Sequence, residues 1–469
     1  MSQQRPRVVI LGAGFAGLET TKRLSRAPVE ITLIDRHNYH CFQPLLYQVA
    51  TAALSPADIA WPVRHILRSQ ENATVFMAEV IGIDAEARIV KTQAATFPFD
   101  FLVIATGAMH SYFDHKNWAA FAPGLKWIED ATRIRRSILS AFEEAELARD
   151  DAERKRLLTF VIIGGGPTGV EMAGAIAEVA RQTLARDFRR IDPRTARIVL
   201  IEAGARLLPT FSEQHSGYAR NTLVAMGVDV MTSSPVLQCH ERGVDLSGGR
   251  IEAGTVIWAA GVMASPAAQW VSAEHDRGGR VIVRSDLSLQ GFNDIFVIGD
   301  TASVKDASGR PVPGLASAAK QMGKYVANLI AARVAGQSLP PFRYRHEGSL
   351  ATIGRRAAVV EVGPIQLKGF IGWMFWSAVH IYFLIGLRNR FVVAITWLWS
   401  YITFKRGARL ITEVPPIVHD ADARQRPMSA LPPKADIAEC DRHVRFVPRA
   451  DIRLLAISPF SWKYFLRGS

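Results

Sequence analysis

The 469-residue chain is poor in cysteine and short of acids relative to bases, and it has no uninterrupted apolar run of comfortable membrane-spanning length. Its three cysteines, Cys41, Cys239 and Cys440, stand far apart. They form neither a CxxC pair nor a zinc-ligand set, so a disulfide framework, a bound metal and paired-thiol redox chemistry are not expected. No charged leader, apolar stretch and cleavage site precede Val8, so no secretory signal is expected and the catalytic body is placed in the cytoplasm. Hydrophobic residues make up 49% and charged residues 21%, which excludes a disordered, collagenous or polytopic membrane chain. At roughly 150 residues per domain the length allows about three domains.

The shortage of acids leaves a net charge of +13, from 56 Lys and Arg against 43 Asp and Glu. Two partners suit such a balance, nucleic acid and an anionic membrane. The position of the charge separates them. Residues 341–414 hold ten bases and three acids, and the last 55 residues hold nine and six, so only +3 remains for the first 340. The excess sits on the most apolar and Trp-rich part of the sequence, which favours a bilayer over phosphates, and no nucleic-acid partner is expected.

What is present is a repeated local pattern. The apolar run Val8–Leu11 leads into Gly12-Ala13-Gly14-Phe15-Ala16-Gly17, a helical stretch follows, and a second apolar run, Ile31–Ile34, ends at Asp35. The pattern recurs at Phe160–Ile163, with Gly164-Gly165-Gly166-Pro167-Thr168-Gly169, a helix from Val170, and Ile198–Ile201 ending at Glu202. A glycine cluster alone is a weak signal. Strand, loop, helix and terminal acid found together twice predict two dinucleotide sites. The first glycine permits the turn, the second admits the pyrophosphate, and the third lets helix and strand pack closely. Asp35 and Glu202 would each accept from a ribose diol, and Glu202 would repel a 2′-phosphate, favouring NADH over NADPH.

Further strand ends set the domain order. Phe101–Ile104 runs into Ala105-Thr106-Gly107-Ala108, Val256–Ala260 runs into Gly261, and Ile295–Ile298 runs into Gly299-Asp300. This predicts an α/β protein of two Rossmann-like dinucleotide-binding domains, the second inserted in the first. The expected limits are 1–125 with 285–330 for the first and 155–280 for the second.

These motifs, with Asn38-Tyr39-His40 and Phe42-Gln43-Pro44-Leu45-Leu46-Tyr47-Gln48-Val49-Ala50, resemble those of the type II NADH:quinone oxidoreductases. These are single-subunit, non-pumping members of the two-dinucleotide flavoprotein reductases. The resemblance runs from about residue 7 to 414. It implies FAD on Gly12, Gly14, Phe15, Ala16, Gly17, Asp35, Arg36, Gln43, Leu46, Thr106, Gly107, Gly299 and Asp300. It implies NADH on Gly164, Gly166, Pro167, Thr168, Gly169, Glu202 and Gly261. It also implies a quinone acceptor and a homodimer. Glu171, just after the second glycine motif, takes the place of a family glutamate near nicotinamide and flavin, with a role in geometry or proton delivery. One departure stands out. Where the family often has Ala-Gln-x-Ala beside the quinone, this chain reads Ala316-Ser317-Ala318-Ala319, and Gln321 one helical turn on is expected to substitute in part for the glutamine that Ser317 replaces. A rival class, the soluble single-cysteine NADH oxidases and disulfide reductases, would use Cys41, although Cys41 lacks the Ser-Phe-Leu-x-Cys-Gly setting of those enzymes.

The segment 341–414 is expected to attach to the membrane. Phe370–Leu387 has 18 residues with His380 as its one His, Lys, Arg, Asp or Glu, Arg388-Asn389-Arg390 interrupts, and Phe391–Phe404 adds 14 more. At about 1.5 Å per residue the first is marginal as a span and the second too short against a hydrocarbon core of about 30 Å, and a core helical hairpin or one tilted span stays open. Trp373, Trp376, Trp397 and Trp399, a polar stripe of Thr396, Ser400 and Thr403, and flanking bases fit an amphipathic helix pair lying in the interface, on the cytoplasmic side of the cell membrane. No set of intramembrane acids for proton pumping is present in the sequence. Residues 415–469 are proline-broken and carry the repeat Pro433-Lys434-Ala435-Asp436-Ile437 and Pro448-Arg449-Ala450-Asp451-Ile452, which reads as a poorly ordered tail.

Overall fold

A computed structural model describes residues 5–403 and 407–412, so the tail 415–469 lies outside the described residues. The chain opens with strand β1 (Arg7–Leu11), whose Val8–Leu11 are buried to 1% exposure or less, as a central parallel strand covered on both faces requires. Helix α1 (Phe15–Arg23), β2 (Glu30–Asp35), β3 (Ala73–Met77) and β4 (Phe101–Ile104) follow. The second unit supplies β5 (Thr159–Ile163), α2 (Pro167–Glu178), β6 (Arg197–Ile201), β7 (Val228–Met231) and β8 (Thr255–Trp258). The chain then returns with β9 (Ile295–Val297) and α3 (Ala316–Val334).

Two parallel sheets result. One has the strand order β9-β4-β1-β2-β3 and draws its strands from both sides of the second unit; the other has the order β7-β6-β5-β8. In each, the strand that precedes a glycine loop lies between neighbours reached in opposite directions. That is the crevice at which α/β sheets bind ligands. The second helix starts at Pro167, three residues earlier than the sequence pattern indicates, because proline's fixed φ suits a helix's first turn.

A three-stranded antiparallel sheet, β10 (Ser349–Gly354), β11 (Ala357–Val362) and β12 (Ile365–Lys368), carries helices α4 (Gly369–Phe383) and α5 (Leu387–Thr403). The break between these helices corrects the expected one. Arg388-Asn389-Arg390 does not separate them but forms the first turn of α5. The turn is made at Gly386, whose φ of +83° only glycine adopts without strain. Arg390 Nε donates to the Leu384 carbonyl at 2.8 Å, and buried Asn389 donates to the Ala57 carbonyl at 3.3 Å, so the polar run serves as a cap and a tether.

The outer face of α5 is its apolar one. Phe391, Ile395, Leu398, Trp399 and Ile402 are each 60–67% exposed, whereas Val393 is fully buried. Thr396 and Ser400 of the polar stripe are half-exposed, and Trp397 packs inward on the core. Phe370, Ile371 and Met374 of α4 are exposed as well. No helix among the described residues is long and apolar enough to cross a membrane.

Candidate active site

The glycine loops work as pairs of close approaches. A Cβ on Gly17 would lie 1.9 Å from the Gly12 carbonyl oxygen, and one on Gly169 would lie 1.8 Å from that of Gly164. Only hydrogen fits at either place, so each helix N-terminus sits tight against its strand. Gly14 and Gly166 are the reverse, since a Cβ there would meet nothing within 4 Å and would fill space a ligand needs.

The two acids behave alike. Asp35 accepts from the Ala13 amide at 2.6 Å and the His37 amide at 2.7 Å. Glu202 accepts from the Gly165 amide at 2.5 Å and the Gly204 amide at 2.6 Å. Each carboxylate is thus clamped at the end of the second strand, with acceptor capacity left for ribose hydroxyls. Arg206, four residues after Glu202, donates to the carbonyls of Phe211 and Pro209, both at 2.9 Å.

A cavity of about 580 Å³ joins the parts. Gly12, Gly14, Phe15, Ala16, Asp35 and Arg36 line it from the first loop and β2, and Gln43 and Leu46 line it from the segment after β2. Thr106 and Gly107 line it from the end of β4, and Gly299 and Asp300 from the end of β9. Pro167, Thr168 and Glu171 enter from the second glycine loop, and His380 enters from α4. The remaining second-unit residues, Gly164, Gly166, Gly169, Glu202 and Gly261, lie outside this cavity, as does Gly17, which is packed under Gly12. Ser317 and Gln321 do not line it either. Gln321 donates to the Arg345 carbonyl at 2.8 Å and to Glu347 at 3.1 Å and accepts from the Arg345 amide at 3.0 Å, which holds it on a different face of α3 from cavity-lining Ala316 and Ala319. The expected substitution of Gln321 for the family glutamine therefore has no geometric support.

Lys126 and Trp127, which line the cavity beside the expected Arg36, carry no local signal in the sequence. Lys126 places its ammonium 3.6 Å from Asp300, and the Arg36 guanidinium lies 4.4 Å above the Trp127 ring. Both cations line the cavity and complement a pyrophosphate. The first unit therefore fits FAD: an open backbone at Gly14, a clamped acid for ribose, Asp300 for a polyol hydroxyl and two cations for phosphate charge. His40 explains the Asn-Tyr-His motif. Its Nδ1 donates to the Ala13 carbonyl at 2.7 Å and its ring meets Phe15 edge-on at 5.1 Å, which fixes the loop from below. Burial lowers its pKa to about 4, so it acts as a neutral donor.

Glu171 is the titratable centre of the cavity. Burial pushes its carboxyl up to about 8, opposed only by a long hydrogen bond of 3.4 Å from the Thr352 amide. At neutral pH it is a protonated O–H donor. Ionisation above about pH 8 removes that donor, so turnover that draws on its proton is expected to fall through that range. Glu171→Gln should lose about tenfold in kcat at pH 7 and flatten the alkaline limb, a change read from pH–rate profiles. Cys41 also lines the cavity, but burial, with Glu129 adding, pushes its thiol up to about 12. A thiol without thiolate character is no electron relay.

Taken together, the doubled nucleotide fold and the shared cavity define a flavoprotein reductase with two dinucleotide sites. Residues 6–323 match the family model described as Pyridine nucleotide-disulphide oxidoreductase, and residues 346–406 match the NDH2 C-terminal domain. The chain is 42% identical over 426 residues to the type II NADH:quinone oxidoreductase Ndh of Mycobacterium tuberculosis, covering 87% of this chain and 91% of that one. It is 31% identical over 378 residues to the type II NADH:quinone oxidoreductase of Staphylococcus haemolyticus, covering 79% and 92%. The solved structure of NDH2 from Plasmodium falciparum in complex with NADH shares the fold, with a TM-score of 0.80 at 21% identity over 87% of this chain and all of that one. This chain belongs to the type II NADH:quinone oxidoreductase family.

Proposed function

We propose that the protein oxidises NADH and passes the electron pair by way of FAD to a quinone, without pumping protons. The observation that carries this reading is that both glycine loops and the C-terminal helix α4 contribute to one cavity. Donor nucleotide, flavin and acceptor can then meet in one place. When bound, FAD supplies a two-electron carrier between a hydride donor and a quinone. The chain's own residues do the rest. Gly12, Gly14, Phe15, Ala16, Asp35, Arg36, Lys126 and Asp300 hold the flavin nucleotide, joined by Gln43, Leu46, Thr106, Gly107 and Gly299. Gly164, Gly166, Pro167, Thr168, Gly169, Glu202 and Gly261 take the NADH, and Glu171 holds a proton beside the acceptor that reduction to a hydroquinone requires. Alignment in a closed cleft, rather than side-chain nucleophilicity, supplies most of the rate.

The bilayer enters the same proposal. The exposed apolar faces of α4 and α5, edged by Lys368 and Arg388, suit an interface rather than water. Lying there, they would let a lipid-soluble quinone reach the cavity past His380 without crossing water, with the nucleotide domains on the cytoplasmic side. Pairing of two copies belongs to this reading too. The test is steady-state NADH oxidation by detergent-purified wild-type and Cys41→Ser proteins, with and without a short-chain quinone. Both should need the quinone and agree within about twofold. Loss of turnover in Cys41→Ser would instead favour the single-cysteine oxidase class.

A further inference from the structure

His380 is the one His, Lys, Arg, Asp or Glu in the apolar stretch 370–387, and it lines the cavity. Its surroundings define its chemistry. Nδ1 lies 2.7 Å from the Trp376 carbonyl oxygen, which can only accept, so Nδ1 carries the proton and Nε2 is an acceptor. Burial lowers its pKa to about 4 and keeps this neutral form. The ring is also held in place. It stacks on Trp376 at 4.1 Å, and Trp376 stacks on Trp397 of α5 at 5.3 Å. Trp397 Nε1 donates to Gln48 Oε1 at 2.7 Å, and Gln48 Nε2 donates to the Tyr47 hydroxyl at 2.8 Å. Tyr47 lines the same cavity. The network leaves the cavity at His380, crosses both C-terminal helices and returns at Tyr47.

A quinone offers carbonyl oxygens, which only accept, whereas the hydroquinone offers hydroxyls, which donate. Resting on the reading that the acceptor is a quinone, we propose that His380 Nε2 accepts a hydrogen bond from a hydroxyl of the reduced acceptor. The residue then recognises the hydroquinone in preference to the quinone. Glu171, a neutral carboxyl at the same cavity, has the opposite polarity and suits a carbonyl oxygen. The two groups thus discriminate in opposite senses, Glu171 for the oxidised acceptor and His380 for the reduced one.

The experiment compares wild-type, His380→Phe and His380→Gln holoenzymes in detergent, using a short-chain quinone, its hydroquinone as product inhibitor, and ferricyanide as an electron acceptor that needs no proton donor or acceptor. Phe keeps the stack on Trp376 and loses the acceptor, while Gln offers a carbonyl oxygen in its place. His380→Phe should weaken hydroquinone inhibition about tenfold relative to any change in quinone KM, both read against the variant's own ferricyanide turnover, and His380→Gln should restore the inhibition. Unchanged inhibition in His380→Phe overturns the proposal. So does equal weakening of quinone and hydroquinone, or loss of ferricyanide turnover in both variants, since either assigns the residue to packing alone. Failure of the wild-type enzyme to reduce quinone would instead strike the functional reading on which this rests.

Discussion

Gly17→Ala protein is expected to purify colourless, while Gly169→Ala protein should purify yellow and respond poorly to NADH. The added methyl would sit 1.9 Å from the Gly12 oxygen in one case and 1.8 Å from the Gly164 oxygen in the other, so the helix must move off its loop by more than an ångström. Displacements of that size at a binding loop cost on the order of a hundredfold. The first variant should retain under about a tenth of its FAD and activity; the second should keep FAD but lose about a hundredfold in kcat/KM for NADH. Flavin content by absorbance after denaturation, set beside NADH titration, reads the two effects separately. Loss of FAD in both variants would contradict separate sites.

The second large effect concerns the apolar face of α5. Leu398 and Ile402 are 62% and 66% exposed, one helical turn apart. Burying such a side chain in an apolar medium contributes about 1.5–3 kcal/mol. Leu398→Glu with Ile402→Glu removes two such terms and adds two charges that an apolar phase excludes. The partition onto vesicles should drop by about a hundredfold or more, with the protein moving from the membrane pellet to the supernatant. NADH:ferricyanide turnover should remain within about twofold, because neither residue lines the cavity. Pelleting equal to wild type would remove the proposed bilayer surface.

Much of this arrangement is legible in the sequence because its signals are local. A strand, a glycine turn, a helix start and an acid all lie between Arg7 and Asp35 in the first unit, and each constrains the backbone directly. The return of the chain to its first sheet shows in the strand end at Gly299-Asp300. Signals that depend on distant partners are harder to read. Gln321 has the spacing of an acceptor-site residue, but Arg345 and Glu347 hold it away from the cavity. Arg388 to Arg390 looked like a helix breaker, but Gly386 makes the turn and the charged run caps it. Lys126 reaches Asp300 across 174 residues of sequence, a pairing no spacing rule gives. His380 did carry a signal, as the one His, Lys, Arg, Asp or Glu in an apolar run. Such residues are functional by default at membrane depth. What the sequence withheld was the cavity that gives it a task.

The central claim is that electrons pass from NADH to quinone through one flavin. It is tested most directly by anaerobic stopped-flow absorbance of the purified holoenzyme. Mixing with one equivalent of NADH should bleach the flavin band, and a second mix with a short-chain quinone should restore it fully and yield one hydroquinone per NADH. A band that NADH bleaches and quinone leaves bleached would contradict the claim.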